Sequence, residues 1–137
     1  MKKILFVALM VMLPLVITGC GEKNIECSKI DGNKEGKMIA TIKGNAIKKI
    51  SIEEIQNYED LSELDNDYNQ ANSNNYVYKL LRGIDSNVTK NGNSLKTVIT
   101  IDLDKAGSTV VREFFDFIEF TPDVFISYAE SEGYTCN

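Results

Sequence analysis

The sequence contains no histidine. That removes histidine-based catalytic triads, histidine-ligated metal sites and the commonest general base. It also contains neither a phosphate-binding P-loop nor a glycine-rich dinucleotide turn. Catalysis would have to rest on carboxylates, tyrosines or lysines, so the chain reads as a non-enzyme with no cofactor. Cysteine is scarce, with three residues, Cys20, Cys27 and Cys136. Without histidine they fall short of the four ligands of a structural zinc, and no metal site is expected. Basic charge is short as well, 15 Lys and Arg against 20 Asp and Glu, for a net charge of −5. An acidic surface repels phosphate and anionic headgroups, so nucleic acid is not an expected partner. The plain use of such charge is solubility.

A hydrophobic run long enough to span a membrane is also missing. The apolar stretch Ile4–Ile17 has 14 residues. A signal-peptide core takes about 7–15 residues, whereas a membrane span takes about 18 or more. Pro14 would further disturb a helix interior. Lys2 and Lys3 precede the run, and Thr18, Gly19 and Cys20 close it. Ile17-Thr18-Gly19-Cys20 resembles the lipobox of bacterial lipoproteins, in which an aliphatic and two small residues precede the modified cysteine. The resemblance implies a diacylglycerol thioether on Cys20 and cleavage after Gly19. Two acyl chains hold a protein stably where one holds it marginally. Residues 1–19 are thus expected to be a cleaved lipoprotein signal peptide, residues 20–24 a lipid-anchored tether, and residues 25–137 a single domain. The expected location is the membrane, lipid-anchored, facing the outside of the cytoplasmic membrane as cell surface or periplasm.

With Cys20 lipidated, Cys27 and Cys136 remain as an even pair. Outside the cytoplasm such a pair usually oxidises, and a disulfide between them is expected. Two buried free thiols are the alternative.

Along the mature chain, Ile25–Ile30 and Lys37–Lys43 read as paired strands around a glycine turn, and Gly44-Asn45 marks a second tight turn. In the third strand Ile47 stands out of phase with Ile50 and Ile52, which predicts a bulge near Lys48-Lys49. Glu53–Tyr58 is read as its continuation. Asp60–Arg82 carries Leu61, Leu64, Tyr68, Ala71, Tyr78 and Leu81 on one helical face. Its middle, Asn72-Ser73-Asn74-Asn75, is poor in helix formers and is a candidate break. Asn91-Gly92 predicts a hairpin into Leu95–Leu103. Thr109–Phe120 is too dense in apolar residues for its period to separate helix from strand. On a helical reading, Phe114, Phe117 and Phe120 share a buried stripe, and Phe115 and Ile118 lie off it. Thr121 as N-cap and Pro122 at the first helical position then open a short helix ending at Gly133. Runs of strand separated by helices without regular alternation predict an α+β fold, an antiparallel β-sheet with one longer and one or two shorter helices packed on it.

A lipobox, two or three strands, a Leu/Tyr-spaced helix, a Gly83-Ile84-Asp85 turn into a hairpin ending Ile99-Thr100-Ile101-Asp102-Leu103-Asp104-Lys105, and a last short helix occur in that order. This resembles the small bacterial lipoproteins of the YehR-like type. The resemblance covers most of the mature chain, and its specific stretch is Gly83–Lys105. The pair Cys27 and Cys136 departs from the pattern. The resemblance implies fold and location and brings no catalytic residues.

Three sets of side chains remain as candidates for chemistry. Asp65-Asn66-Asp67 imitates the opening of a calcium loop, yet Gln70 stands where the loop needs glycine and Tyr76 where it needs glutamate. With Glu59, Asp60 and Glu63, these acids read as a solvated helix face. Asp102 and Asp104 share one side of a strand, the usual polar face of a half-buried sheet. Tyr58, Tyr68, Tyr76 and Tyr78 are spaced for helix packing more than for stacking on a ligand. The functional expectation is a membrane-anchored binding or interaction module with an envelope protein as a possible partner. The alternative is a structural or envelope-assembly lipoprotein with no small-molecule ligand.

Overall fold

A computed structural model describes residues 21–115 and 120–137. The elements are β1 (Glu22–Asp31), β2 (Lys34–Lys43), β3 (Ala46–Asn57), α1 (Leu61–Lys79), β4 (Ile84–Asn91), β5 (Ser94–Asp102), α2 (Ser108–Arg112), α3 (Pro122–Ser131) and β6 (Thr135–Cys136). The strands form one six-stranded sheet in the order β4-β5-β3-β2-β1-β6, and each neighbouring pair is antiparallel. The fold is α+β, with three described helices.

Alternation along the strands gives the sheet two unlike faces. On one, Ile25, Ala40, Ile50, Ile101 and Ile84 form a continuous row across five strands. Cys27, Met38, Ile52 and Ile99 form the next row, which reaches Ser86 on β4. The helices cover this face, α1 over β4 and β5, and α3 over β1 and β2. Phe115, Phe125 and Ala129 complete its main core. On the other face Ile39, Ile55 and Val98 stay half-buried among polar neighbours, outside both core clusters. Lys37–Glu26 and Lys96–Glu53 ion pairs, at 3.1 and 3.2 Å, cross it. Such surface pairs contribute little, typically below about 1 kcal/mol.

The expected bulge is present. Thr41 pairs with Lys49 and Ile42 with Ile47, so Lys48 is the extra residue. It returns both Ile47 and Ile50 to the core side, where each is buried. The Thr121 hydroxyl accepts from the Val124 N–H and Pro122 is at the first turn of α3. Glu53–Asn57 continues β3.

Four expectations need correction. Glu22, Lys23 and Asn24 are the first residues of β1, paired with Lys43, Ile42 and Thr41, so the sheet begins within the stretch expected to be a tether. α1 runs unbroken through Asn72–Asn75. Leu61 is exposed, because the stripe of α1 meets the sheet only from Leu64 onward. α2 ends after five residues. Beyond it helical spacing no longer selects the buried side chains, and Phe115 is buried while Phe114 and Phe120 are half-buried. Phe115 meets Phe120 and Tyr128 edge-on at 6.1 and 5.4 Å. Phe117 and Ile118 lie outside the described residues.

Two glycines fit where no side chain would. Gly83 has φ +80°, and a Cβ there would run into the backbone of Lys105 and Ala106. Its carbonyl accepts from the Asp102 N–H at 2.8 Å, tying the start of β4 to the end of β5. At Gly36 on β2 a Cβ would strike the Tyr134 ring, which lies across the strand.

Candidate functional site

α1 is started by Asp60, whose carboxylate accepts from the Ser62 N–H at 2.8 Å. From there its inward face carries Leu64, Tyr68, Ala71, Asn75 and Tyr78. Leu64 packs with Tyr58 and Leu95 in a small core of its own, bordered by Tyr68, Ala71 and Val88. One turn beyond Ala71, an amide takes the place of an apolar residue. Asn75 and Ser86 are both buried, and the Ser86 hydroxyl donates to the Asn75 side chain at 2.5 Å. The Asn75 backbone carbonyl lies 3.2 Å from the same hydroxyl. The pair sets the spacing between helix and strand by hydrogen bonding rather than by side-chain volume. Around it lies a cleft of about 180 Å³, lined on the helix side by Ala71, Asn74, Asn75 and Tyr78. Ser86, Val88 and Ile99 are among its strand-side walls.

That volume is small against the roughly 300–1,000 Å³ of ligand pockets. Its buried Ser86 hydroxyl and Asn75 side-chain carbonyl are already bonded to each other. The opposite, outward face of α1 differs. Tyr76, Val77 and Leu80 are 69, 55 and 70 % exposed, beside exposed Lys79 and Arg82. Large apolar side chains grouped on one turn mark a contact surface more than isolated exposed residues do.

The tyrosines do not converge on one site. The Tyr58 hydroxyl donates to Asp67 at 2.8 Å. Burial, then that carboxylate and the charges of Asp67, Glu54 and Glu63, push its phenol up to about 12. Tyr68 lies under the Lys90 ammonium, 5.3 Å from the ring centre. Tyr78 meets Phe114 at 5.5 Å, and Tyr76 faces solvent. Burial likewise raises the Tyr134 phenol, with Glu54, Tyr128 and Glu132 adding to it.

The acidic cluster is spread along α1 and engaged in packing contacts. Asp60 caps the helix, Asp67 holds Tyr58, and Asp65 pairs with Lys90. Asp102 and Asp104 do not share a strand face, because β5 ends at Asp102. The Lys105 ammonium holds the Asp102 carboxyl below its ordinary value, and Asp104 pairs with Lys48. Among the described residues no group of three or more His, Cys, Asp or Glu could hold a metal ion. No described helix is long and apolar enough to cross a membrane. Cys20 lies outside the described residues. Cys27 and Cys136 face each other on β1 and β6, with Cα atoms 4.0 Å apart.

The fold is similar to that of the Escherichia coli YehR protein, whose structure was solved by NMR. The two superpose with a TM-score of 0.70 over 86% of this chain and 92% of that one, at 15% identity. The chain shares the YehR fold. A Streptococcus pneumoniae protein solved by NMR matches with a TM-score of 0.61 at 14% identity, covering 100% of this chain and 96% of that one. Neither YehR nor the streptococcal protein is described by an activity. No family model and no curated protein matches the sequence.

The Asn75–Ser86 pair and its cleft are the part of the site that the helical stripe did not reveal. One signal was present. Asn75 falls four residues after Ala71 and three before Tyr78, a polar residue on an apolar stripe. Its partner Ser86 is 11 residues away, beyond any local spacing rule.

Proposed function

We propose that the chain is an extracytoplasmic lipoprotein, held to the membrane by a diacylglyceryl group on Cys20, that acts by surface contact rather than by catalysis. The Ile17–Cys20 lipobox supports the anchor. The observation that carries surface contact is the outward face of α1, where Tyr76, Val77 and Leu80 stand in solvent. The nearby cleft is small, so the reading places contact outside it. In this compartment Cys27 and Cys136 form a disulfide, for which their facing positions on β1 and β6 provide the geometry.

Mass spectrometry of the mature N-terminus tests the anchor. A chain starting at lipidated Cys20 is the expected result, and any other start, or a bare Cys20, refutes it. A photoreactive residue at Tyr76 should crosslink in the native envelope, whereas one at Glu35 on the opposite end should not. Equal labelling from both positions would remove the case for a contact face on α1.

A further inference from the structure

The strand register fixes which end of the sheet lies next to Cys20. The row Ile25–Ala40–Ile50–Ile101–Ile84 crosses five strands. Beyond it, on the side where β1 begins, lie Glu22 and Lys23, the end of β2 at Lys43, and the start of β3. The end of β5 and the Leu80–Gly83 link that closes α1 lie there too. Only Gly21 separates Cys20 from β1. Two residues of fully extended chain span about 7 Å. A lipid on Cys20 therefore brings this end of the domain against the bilayer with almost no free linker.

Among the described residues, the two ends carry opposite charge. At the Cys20 end, Lys23, Lys43, Lys48, Lys49, Lys79 and Arg82 outnumber Glu22, Asp102, Asp104 and Asp123, and Lys105 and Lys48 pair with two of those acids. At the far end, Asp31, Glu35, Asp60, Glu63 and Asp65 stand with Lys34 and Lys90. Among the described residues, net acidity is concentrated away from the Cys20 end. The exposed Tyr76, Val77 and Leu80 lie on the last turns of α1, at the basic end. An aromatic and two aliphatic residues flanked by Lys79 and Arg82 form the pattern of a helix turn that enters a lipid interface. Basic residues held within a Debye length of an anionic bilayer add attraction that salt weakens.

We infer that this basic end, with Tyr76, Val77 and Leu80 as its apolar contact, docks on the surface of a bilayer containing anionic lipid and holds the sheet in one orientation to it. The inference rests on the anchored reading above and names the surface that the outward face of α1 meets.

The chain contains no tryptophan, so one introduced tryptophan reports its position alone. Leu80→Trp and Ile30→Trp place it at exposed sites on opposite ends of the sheet, 70 and 78 % exposed in the native chain. Each processed full chain is reconstituted into phosphatidylcholine vesicles with or without phosphatidylglycerol, using lipids brominated on the acyl chain. The mass of the N-terminal peptide is read first. The expected result is severalfold stronger bromine quenching and a blue shift for Leu80→Trp, but not for Ile30→Trp. The effect should be greater with phosphatidylglycerol, and lost on adding Lys79→Glu and Arg82→Glu. Equal quenching at both sites, or an unquenched Leu80→Trp on lipidated protein, overturns the docking while leaving the anchor intact. A blue shift without bromine quenching assigns the face to contact between copies of this chain and overturns it too. An unlipidated N-terminus overturns anchor and docking together.

Discussion

Over β1 and β2 the covered face of the sheet is closed by aromatic volume and a cysteine pair. Over β4 and β5 it is closed by a helix held partly through a hydrogen bond. In the first region Phe125 and Ala129 from α3 are fully buried, Phe115 is nearly so, and Cys27 faces Cys136 across β1 and β6. In the second, α1 contributes one buried apolar side chain, Leu64, and then Asn75, whose bond to Ser86 leaves a cleft beside it. Volume leaves no room between elements, whereas a hydrogen bond fixes their distance and tolerates a gap. The first region is therefore expected to be the more stable, and α1 the element that opens first under stress.

Removing the proposed disulfide should have the largest effect on this contrast. In the chain-entropy model a loop of this length is worth about 4–5 kcal/mol. Cys136→Ala should lower the denaturant midpoint accordingly, and reductant should bring the native chain down to the same value. A native chain indifferent to reductant would show that β1 and β6 are not stapled. Next come the two cores. Phe125→Ala should cost about 3–5 kcal/mol and Leu64→Ala about 2–3 kcal/mol, the low end for leucine, because Leu64 belongs to a small cluster beside a cleft. Equal costs in chemical denaturation would erase the distinction. Ser86→Ala should cost about 1–3 kcal/mol by leaving the buried Asn75 amide without its donor. Hydrogen exchange should then quicken in α1 and not in α3, and a uniform change across both helices would count against separate closure.

The smallest effect is alkaline. The Tyr58 phenol titrates near 12 in the folded chain and near 10 when free. Between those values the folded state keeps a proton that the unfolded chain has released. Stability is thus retained below about pH 10 and declines as pH rises towards about 12. Tyr58→Phe should flatten that decline, measured as the denaturant midpoint from pH 9 to 12. Tyr134, also raised by burial, acts in the same direction from the other region, so the decline should shrink without vanishing.

What the sequence disclosed was local. The bulge at Lys48 was visible because Ile47 and Ile50 cannot share a face of a regular strand. The start of α3 was visible because Thr121 and Pro122 are helix-opening chemistry. What stayed hidden was decided by contacts far along the chain. Asn72–Asn75 is weak helix by propensity, yet Ala71 and Val88 border one small core and Asn75 bonds Ser86, which holds the middle of α1 in place. Phe115 was passed over because the spacing rule assumes that a helix continues, and α2 stops at Arg112. Glu22–Asn24 looked unpatterned because this first part of β1 has β2 on one side and lies beyond the reach of β6 on the other, and it needs no apolar alternation to pair with β2. The proposed contact surface was the least legible part. Tyr76 read as a helix-packing residue, and Val77 and Leu80 drew no reading, until the helix is seen to turn all three outward.

β6 is two residues long, and the Asn137 N–H donates to the Glu26 carbonyl at 3.0 Å. Polypeptides are made from the N-terminus, so β1 is synthesised first among the strands and gains its outer neighbour last. Until residues 135–137 arrive, one edge of β1 has no strand beside it. The described sheet therefore cannot close until residues 135–137 have been made. The outer edge of β1 stays open through the synthesis of every other described strand, and closing it joins positions 109 residues apart.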